Sequence, residues 1–279
     1  MKATIISKAV RALALTVTAL ALGAASANAQ TIHYSDTFSG AGGLLDTVPV
    51  QGGLGAGTLW SANNAFNDNG TIQGTNEGSA ILPFNPVVNR TYTLSLDVFN
   101  PGGVDRWMAL GFAQDPLISP GANNVNDRLS NETEGIAWML IRDHNTDQLQ
   151  DVQLFKGRRT TTGIADNNTN LTWGVWHTLN IVLDTTGDGS SFTADFLIDG
   201  LTVSSGAYTI SSLDNPGNGA TVPGTLLNQI RYVGFAYDNS SATPPGFDNF
   251  LLTSVPEPST LALIGVGALA YAFWLRRRK

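Results

Sequence analysis

The stretch "WHTLNIVLDTTGDGSSFTADFLIDGLTV", Trp176 to Val203, decides the fold class. Its apolar residues recur at every second position: Leu179, Ile181 and Leu183 face one way, and Thr178, Asn180 and Val182 the other. That period places successive side chains on opposite faces of a strand and makes no helical stripe. The next run sets Phe192, Ala194, Phe196 and Ile198 on one face and stops at Asp199-Gly200. Asp-Gly between alternating runs signals a two-residue hairpin, because a type I′ turn needs positive φ at both central positions. "GDGSS" at 187–191 supplies the earlier turn, so a three-stranded antiparallel meander is predicted.

Working outward, "TYTLSLDVF" at 91–99 sets Tyr92, Leu94, Leu96 and Val98 against Thr91, Thr93, Ser95 and Asp97. Further strands are predicted at Trp107–Ala113, Ile136–Asp143, Val152–Lys156, Ile230–Tyr237 and Phe247–Thr253. "YSDTFSG" at 34–40 and "GFDNFLLTS" at 246–254 are both strand-like and are expected to pair, closing the domain. Many short strands with Gly, Asn and Asp turns make an all-β sandwich. Two segments, 116–135 and 211–229, carry no pattern and are expected to be long loops. The opening Asp36-x-Phe38, the late Trp176-His177-x-Leu179 leading into Asp199-Gly200, and the closing Asp248-Asn249-Phe250 resemble concanavalin A-like (laminin G-like) jelly rolls. The resemblance spans most of residues 31–253 and implies a two-sheet antiparallel jelly roll, not an activity.

Between residues 30 and 255 the chain has 8 Lys and Arg against 21 Asp and Glu, a net charge of −13, whereas the whole chain carries −7. A body this acidic repels nucleic acid and anionic membrane, so neither is an expected partner. Cysteine is absent, which excludes a thiol nucleophile, a Cys-type zinc site and disulfide support. A body of 226 residues buries enough core to do without disulfides and fits one all-β domain, 30–254.

The two ends differ in kind from the body. Lys2, Lys8 and Arg11 precede an apolar run from Ala12 to Ala25 and the small-x-small Ala27-Asn28-Ala29. This is a secretory signal peptide over 1–29, with cleavage expected between Ala29 and Gln30. At the other end, Leu261 to Leu275 is 15 apolar residues, and the segment 259–275 makes a short transmembrane helix. At ~1.5 Å per residue the apolar run alone reaches ~22 Å into a hydrocarbon layer ~30 Å thick. Arg276, Arg277, Arg278 and Lys279 hold that end in the cytoplasm. Ahead of the span stands Pro256-Glu257-Pro258, where two prolines forbid helix and leave the chain extended. These three parts in this order resemble the PEP-CTERM sorting signal of Gram-negative bacteria, over residues 255–279. The resemblance implies passage through the inner membrane, recognition by an exosortase, a temporary anchor, and delivery to the cell surface or the extracellular polymer. No LPxTG-type wall anchor and no lipoprotein cysteine is present.

Catalytic patterns are sparse. A retaining glycosidase needs two carboxylates ~5.5 Å apart, and no Glu-x-Asp-x-x-Glu run occurs; the body's glutamates are Glu77, Glu132 and Glu134. His33, His144 and His177 are the only histidines and no Gly-x-Ser-x-Gly elbow accompanies them. Asx-rich turns at 67–70, 143–147 and 166–170 are compatible with calcium, but none has the spaced Asp-x-Asp-x-Asp-Gly order, and no cofactor is required.

Binding leaves a clearer trace. Trp107, Ala109, Gly111 and Ala113 share a face, as do Tyr232, Gly234 and Ala236, and Trp138 and Arg142 share another. A floor of small residues edged by Trp107, Trp138, Arg142 and Tyr232 is a candidate glycan groove, since aromatic rings pack against sugar C–H faces and Arg bonds hydroxyls. The alternative is that the small residues lie under a loop or let sheets approach. The expected function is an exported, non-catalytic β-sandwich that binds or organises extracellular polysaccharide. Its rivals are a purely structural matrix protein and a polysaccharide-cleaving enzyme.

Overall fold

The structure is a computed structural model that describes residues 29–62, 66–72, 78–101, 107–114, 135–142, 152–156, 163–167, 171–203, 206–211, 226–238 and 245–257. Thr31–Ser254 form one compact unit; Met1–Gln30 with Val255–Lys279 form a second, of which residues 29, 30 and 255–257 are described. Among the described residues no helix is long and apolar enough to cross a membrane. The span 259–275 lies outside them, as do Ala27, Pro258 and Arg276, Arg277 and Arg278.

Among the described residues fourteen strands form two antiparallel sheets. The first sheet contains β1 (Thr31–Asp36), β4 (Arg90–Phe99), β9 (Trp176–Asp184), β10 (Ser191–Ile198), β11 (Leu201–Thr202), β12 (Tyr208–Ser211) and β14 (Gly246–Pro256). Its order is β1-β14-β4-β9-β10-β11, with β12 also on β10. The second contains β2 (Ser61–Ala62), β3 (Gly78–Pro83), β5 (Trp107–Ala113), β6 (Gly135–Arg142), β7 (Val152–Phe155), β8 (Gly163–Asn167) and β13 (Tyr232–Asp238). Its order is β2-β3-β13-β5-β6-β7-β8.

The meander forms as predicted. Asp199 (φ 51°) and Gly200 (φ 76°) both take the left-handed conformation that a type I′ turn demands, between the pairs Ile198–Leu201 and Leu197–Thr202. Leu179, Ile181 and Leu183 on β9 and Phe192, Ala194, Phe196 and Ile198 on β10 are all buried, while the alternate residues from Thr178 to Asp184 are half-buried. On β4, Tyr92, Leu94, Leu96 and Val98 point inward in the same way. The first and last strands are adjacent: β1 pairs with β14 from Thr31–Ser254 to Asp36–Phe250, with a bulge between Ile32 and Tyr34.

The inner face of the second sheet brings Met108, Leu110, Phe112, Met139, Ile141, Val233 and Phe235 into the same core. At one end this core is aromatic. Phe235 lies 4.7 Å from Phe247, 5.4 Å from Phe66 and 5.6 Å from Trp60, the last two edge to face. Edge-on contacts align the positive ring rim with a neighbouring negative ring face. Asp36, 3 % exposed, is built into this end: its Oδ2 accepts the indole N–H of Trp60 at 3.0 Å and its Oδ1 the backbone N–H of Phe38 at 2.9 Å. The Asp36-x-Phe38 pattern thus anchors the first strand to the core through one carboxylate.

Several boundaries differ from the sequence reading. β13 starts at Tyr232 rather than Ile230, because Leu226–Gln229 form a 3₁₀ turn that Ile230 closes with a bond to the Leu227 carbonyl. That turn also occupies the end of the segment predicted as loop at 211–229; residues 115–134, nearly all of the other predicted loop, lie outside the described part. β2, β3, β8 and β12 were not predicted. β14 runs on to Pro256, beyond the predicted Thr253, so the last core strand extends into the Pro-Glu-Pro stretch. Proline lacks an N–H and is tolerated at a strand end where no ladder bond needs one.

Candidate functional site

The outer face of the second sheet holds the four residues singled out as a glycan groove. The pairs Trp107–Arg142, Gly111–Trp138 and Tyr232–Ala113 bring them onto one surface, as alternation predicted. The surface is covered. Trp107 is 7 % exposed and Trp138 fully buried, in a second apolar cluster with Ala109, Ala113, Leu140, Phe155 and Ala236. Trp138 stacks face to face on Phe155, with centroids 3.8 Å apart and planes 8° apart, so one ring face is already occupied. Tyr232 packs against this cluster and, like Arg142, is only half-buried. The glycines have a packing reason. A Cβ on Gly234 would run into the Ala80 carbonyl oxygen and come 2.8 Å from the Ile81 Cα, and one on Gly111 would meet Trp138.

Both described histidines are hydrogen-bonded within the fold. His177 is 8 % exposed; its Nδ1 lies 2.7 Å from Asp199 Oδ2 and its Nε2 2.9 Å from the Thr172 carbonyl oxygen. Asp199 also accepts the Thr178 N–H through Oδ1 at 2.8 Å, so one carboxylate staples the hairpin turn to β9. His33, at the β1 bulge, sits 2.9 Å from Ser254 Oγ and edge-on to Phe84. Burial, and secondarily the Arg90 guanidinium, hold its imidazole below the usual range. His144 lies outside the described residues, as do Glu77, Glu132 and Glu134.

An open aromatic site lies elsewhere, at one end of the first sheet, where β1 and β4 finish and β9 and β14 begin. A surface pocket of about 270 Å³ there is lined by Thr37, Asn69, Gly70, Thr71, Phe99, Trp176 and Gly246 to Asp248, among others. Trp176 occupies the outward parity of β9, opposite the inward His177, and is 53 % exposed. It pairs across the ladder with Phe99, ring centroids 5.7 Å apart. A Cβ on Gly246 would lie 3.0 Å from Trp176 Cη2, so the indole rests over a strand that carries no side chain there. Gly70 (φ 75°) faces Phe247, whose N–H donates to the Gly70 carbonyl at 2.9 Å. Both glycines are buried, and Gly246 leaves the strand under the ring without a side chain.

Polar groups rim this pocket. Asn69 Oδ1 accepts the Thr71 hydroxyl at 2.7 Å, and Asp248 Oδ1 accepts the Asn249 N–H at 2.7 Å. Among the described residues no hydrogen bond engages Asn69 Nδ2 or Asp248 Oδ2. Behind them Asp97 accepts the Thr178 hydroxyl at 2.6 Å and the Asn249 amide at 2.8 Å, tying β4, β9 and β14 together. Sequence reading placed Trp176 on a strand but did not single it out. The available signal was parity, since it is a lone tryptophan on the polar face of an otherwise clean alternation.

The 67–70 turn, one of the stretches compatible with calcium, spends its side chains locally. Asp68 Oδ1 accepts the Gly42 N–H, Asn69 Oδ1 the Thr71 hydroxyl and N–H, and Asn67 Nδ2 donates to Thr71. No group of three or more His, Asp or Glu side chains converges among the described residues. Calcium takes six to eight oxygens, and Asp68 Oδ1 and Asn69 Oδ1 of this turn already accept hydrogen bonds. The stretches at 143–147 and 168–170 lie outside the described residues.

No curated protein matches the chain. Among solved structures it is similar to the carbohydrate recognition domain of Emp47p (13 % identity, TM-score 0.42, 81 % of this chain and 97 % of that one). It is similar to a protein of unknown function with a galectin-like fold from Bacillus subtilis (12 %, TM-score 0.46, 81 % and 97 %). It is also similar to an endo-1,3-beta-glucanase from Streptomyces sioyaensis (13 %, TM-score 0.42, 81 % and 97 %). Residues 254–279 match the profile of the PEP-CTERM protein-sorting motif, and the chain therefore ends in a PEP-CTERM sorting signal.

Proposed function

We propose that the chain is exported with its signal peptide removed between Ala29 and Gln30, and is held in the inner membrane by residues 259–275. In this reading an exosortase processes it at Pro256-Glu257-Pro258, with Arg276, Arg277 and Arg278 fixing the orientation of the span. The sandwich, residues 30–254, is then displayed at the cell surface or in the extracellular matrix, where it binds or organises polysaccharide without cleaving it. The motif at 254–279 carries the sorting half, because it implies processing by an exosortase, and proteins that bear it are exported and sorted to the surface. The local backbone is compatible with it: Pro256 ends β14 as a strand and Glu257 follows without regular structure.

The non-catalytic half is supported by how the described histidines are used, His177 between Thr172 and Asp199 and His33 against Ser254. Trp107, Trp138, Arg142 and Tyr232 remain one surface in this proposal, with half-buried Tyr232 and Arg142 the members within reach of a polymer. The burial of both tryptophans favours a second reading, a matrix protein with no glycan ligand. Glu257→Ala tests the sorting claim. Export and folding should be unchanged, since Glu257 lies beyond the last strand, while unprocessed protein should accumulate in the inner membrane. Display at the wild-type level would reduce the tail to an ordinary anchor. Retention on insoluble polysaccharide, with a reducing-end assay beside it, separates binder, structural protein and hydrolase.

A further inference from the structure

We infer that the pocket under Trp176 is a subsite for one neutral pyranose ring of an extracellular polysaccharide; this rests on the polysaccharide-binding reading above. A single exposed apolar residue needs no explanation on a protein surface. Trp176 is more than that, because a second ring, a strand with no side chain under the indole and two polar atoms without partners among the described residues line the same pocket. The indole is 53 % exposed and laid over Gly246, with Phe99 beside it. A pyranose offers an apolar C–H face to such a ring and a rim of hydroxyls to polar neighbours. Here the rim is met by Asn69 Nδ2, a donor, and Asp248 Oδ2, an acceptor, both without other partners among the described residues.

Size and charge narrow the ligand. A volume of about 270 Å³ is just under the ~300–1,000 Å³ of sites that enclose drug-sized molecules, which suits one ring rather than several. The pocket lining includes Asp248 and no cation, on a body of net charge −13. A uronic acid would face an uncompensated carboxylate, so the sugar is uncharged. The site is also held rigid, since Asp97 bonds both Thr178, two residues beyond Trp176, and Asn249, next to Asp248. Rigid placement lowers the ordering cost of binding.

The test uses the full-length chain in detergent, titrated calorimetrically with the methyl glycosides of glucose, galactose and mannose and with methyl glucuronide. Retention on insoluble polysaccharide is measured in parallel. Trp176→Ala and Asn69→Ala are the variants; both should still unfold cooperatively, with a small loss of stability from the Trp176 packing on Phe99 and from the Thr71 bonds to Asn69. Retention, and the affinity for any neutral glycoside bound, should fall roughly tenfold in Trp176→Ala, the equivalent of about 1.4 kcal/mol. Methyl glucuronide should bind more weakly than the neutral sugars. If the wild type is retained on the polymer and Trp176→Ala is retained equally, the pocket is overturned while the polysaccharide reading stands. A wild type that binds neither polymer nor glycoside sinks both. Preference for the glucuronide refutes the assignment to a neutral ring.

Discussion

Removing the Asp36 carboxylate orphans two buried donors at once, the Trp60 indole N–H and the Phe38 backbone N–H. Asp36 is 3 % and Trp60 2 % exposed, so water cannot replace the lost acceptor without opening the aromatic end of the core. Each unsatisfied buried donor costs about 1–3 kcal/mol, so Asp36→Ala should destabilise the sandwich by about 2–6 kcal/mol. Asp36→Asn keeps one carbonyl oxygen but turns an amide N–H₂ toward one of the two donors, so about half that loss is expected. Trp60→Phe removes the indole donor and, by itself, costs about 2–4 kcal/mol in packing. In the double variant Asp36→Asn/Trp60→Phe the conflict between donors disappears. The two changes should then fall short of additivity by at least about 1 kcal/mol. Urea unfolding followed by far-ultraviolet circular dichroism on the wild type and these four variants measures this. If the single effects add within about 0.5 kcal/mol, or Asp36→Ala costs less than 1 kcal/mol, the carboxylate does not anchor the first strand.

Two glycines should behave very differently. Gly234→Ala drives a methyl into the backbone of β3 and should cost at least about 3 kcal/mol or abolish folding, whereas Gly200→Ala meets nothing within 4 Å and should cost only the left-handed strain, about 1 kcal/mol. Equal melting temperatures for the two would refute the close approach of β13 to β3. Stability should also decline as pH falls through about 6.5, because His33 is held below that value in the folded chain and the unfolded chain takes up the proton first. His33→Gln should reduce this slope in urea titrations between pH 7 and pH 5, and an unchanged slope would place the titrating group elsewhere.

Much of the fold was legible because one physical signal, the period of two, marks a strand with one face in a core and one in water. β4, β9 and β10 are such strands, and their inward residues are those read from the sequence. Asp199-Gly200 was legible for a different reason, since few residue pairs accept positive φ twice in succession. β3 was missed because Gly78, Ser79 and Ala80 give it little strand propensity, although Gly78 to Leu82 is as fully buried as β5. Conversely, alternation put Trp107, Trp138, Arg142 and Tyr232 on one face but left open whether that face is a groove or lies covered. Parity assigns a side chain to a face of its sheet, while exposure depends on whatever else packs there. Trp176 illustrates the reverse case, a ring left in solvent by a strand whose other outward residues are mostly polar.

β14 is hydrogen-bonded on both sides, to β1 and to β4, and the chain leaves it directly into the sorting signal. Tension applied at the C-terminus therefore acts along a strand clamped between two neighbours. Such a load is borne in shear: the ladder bonds on both flanks must yield together, instead of being peeled one after another from an edge. The last strand sits one place in from the edge of its sheet, so a pull on the tail loads two ladders rather than one.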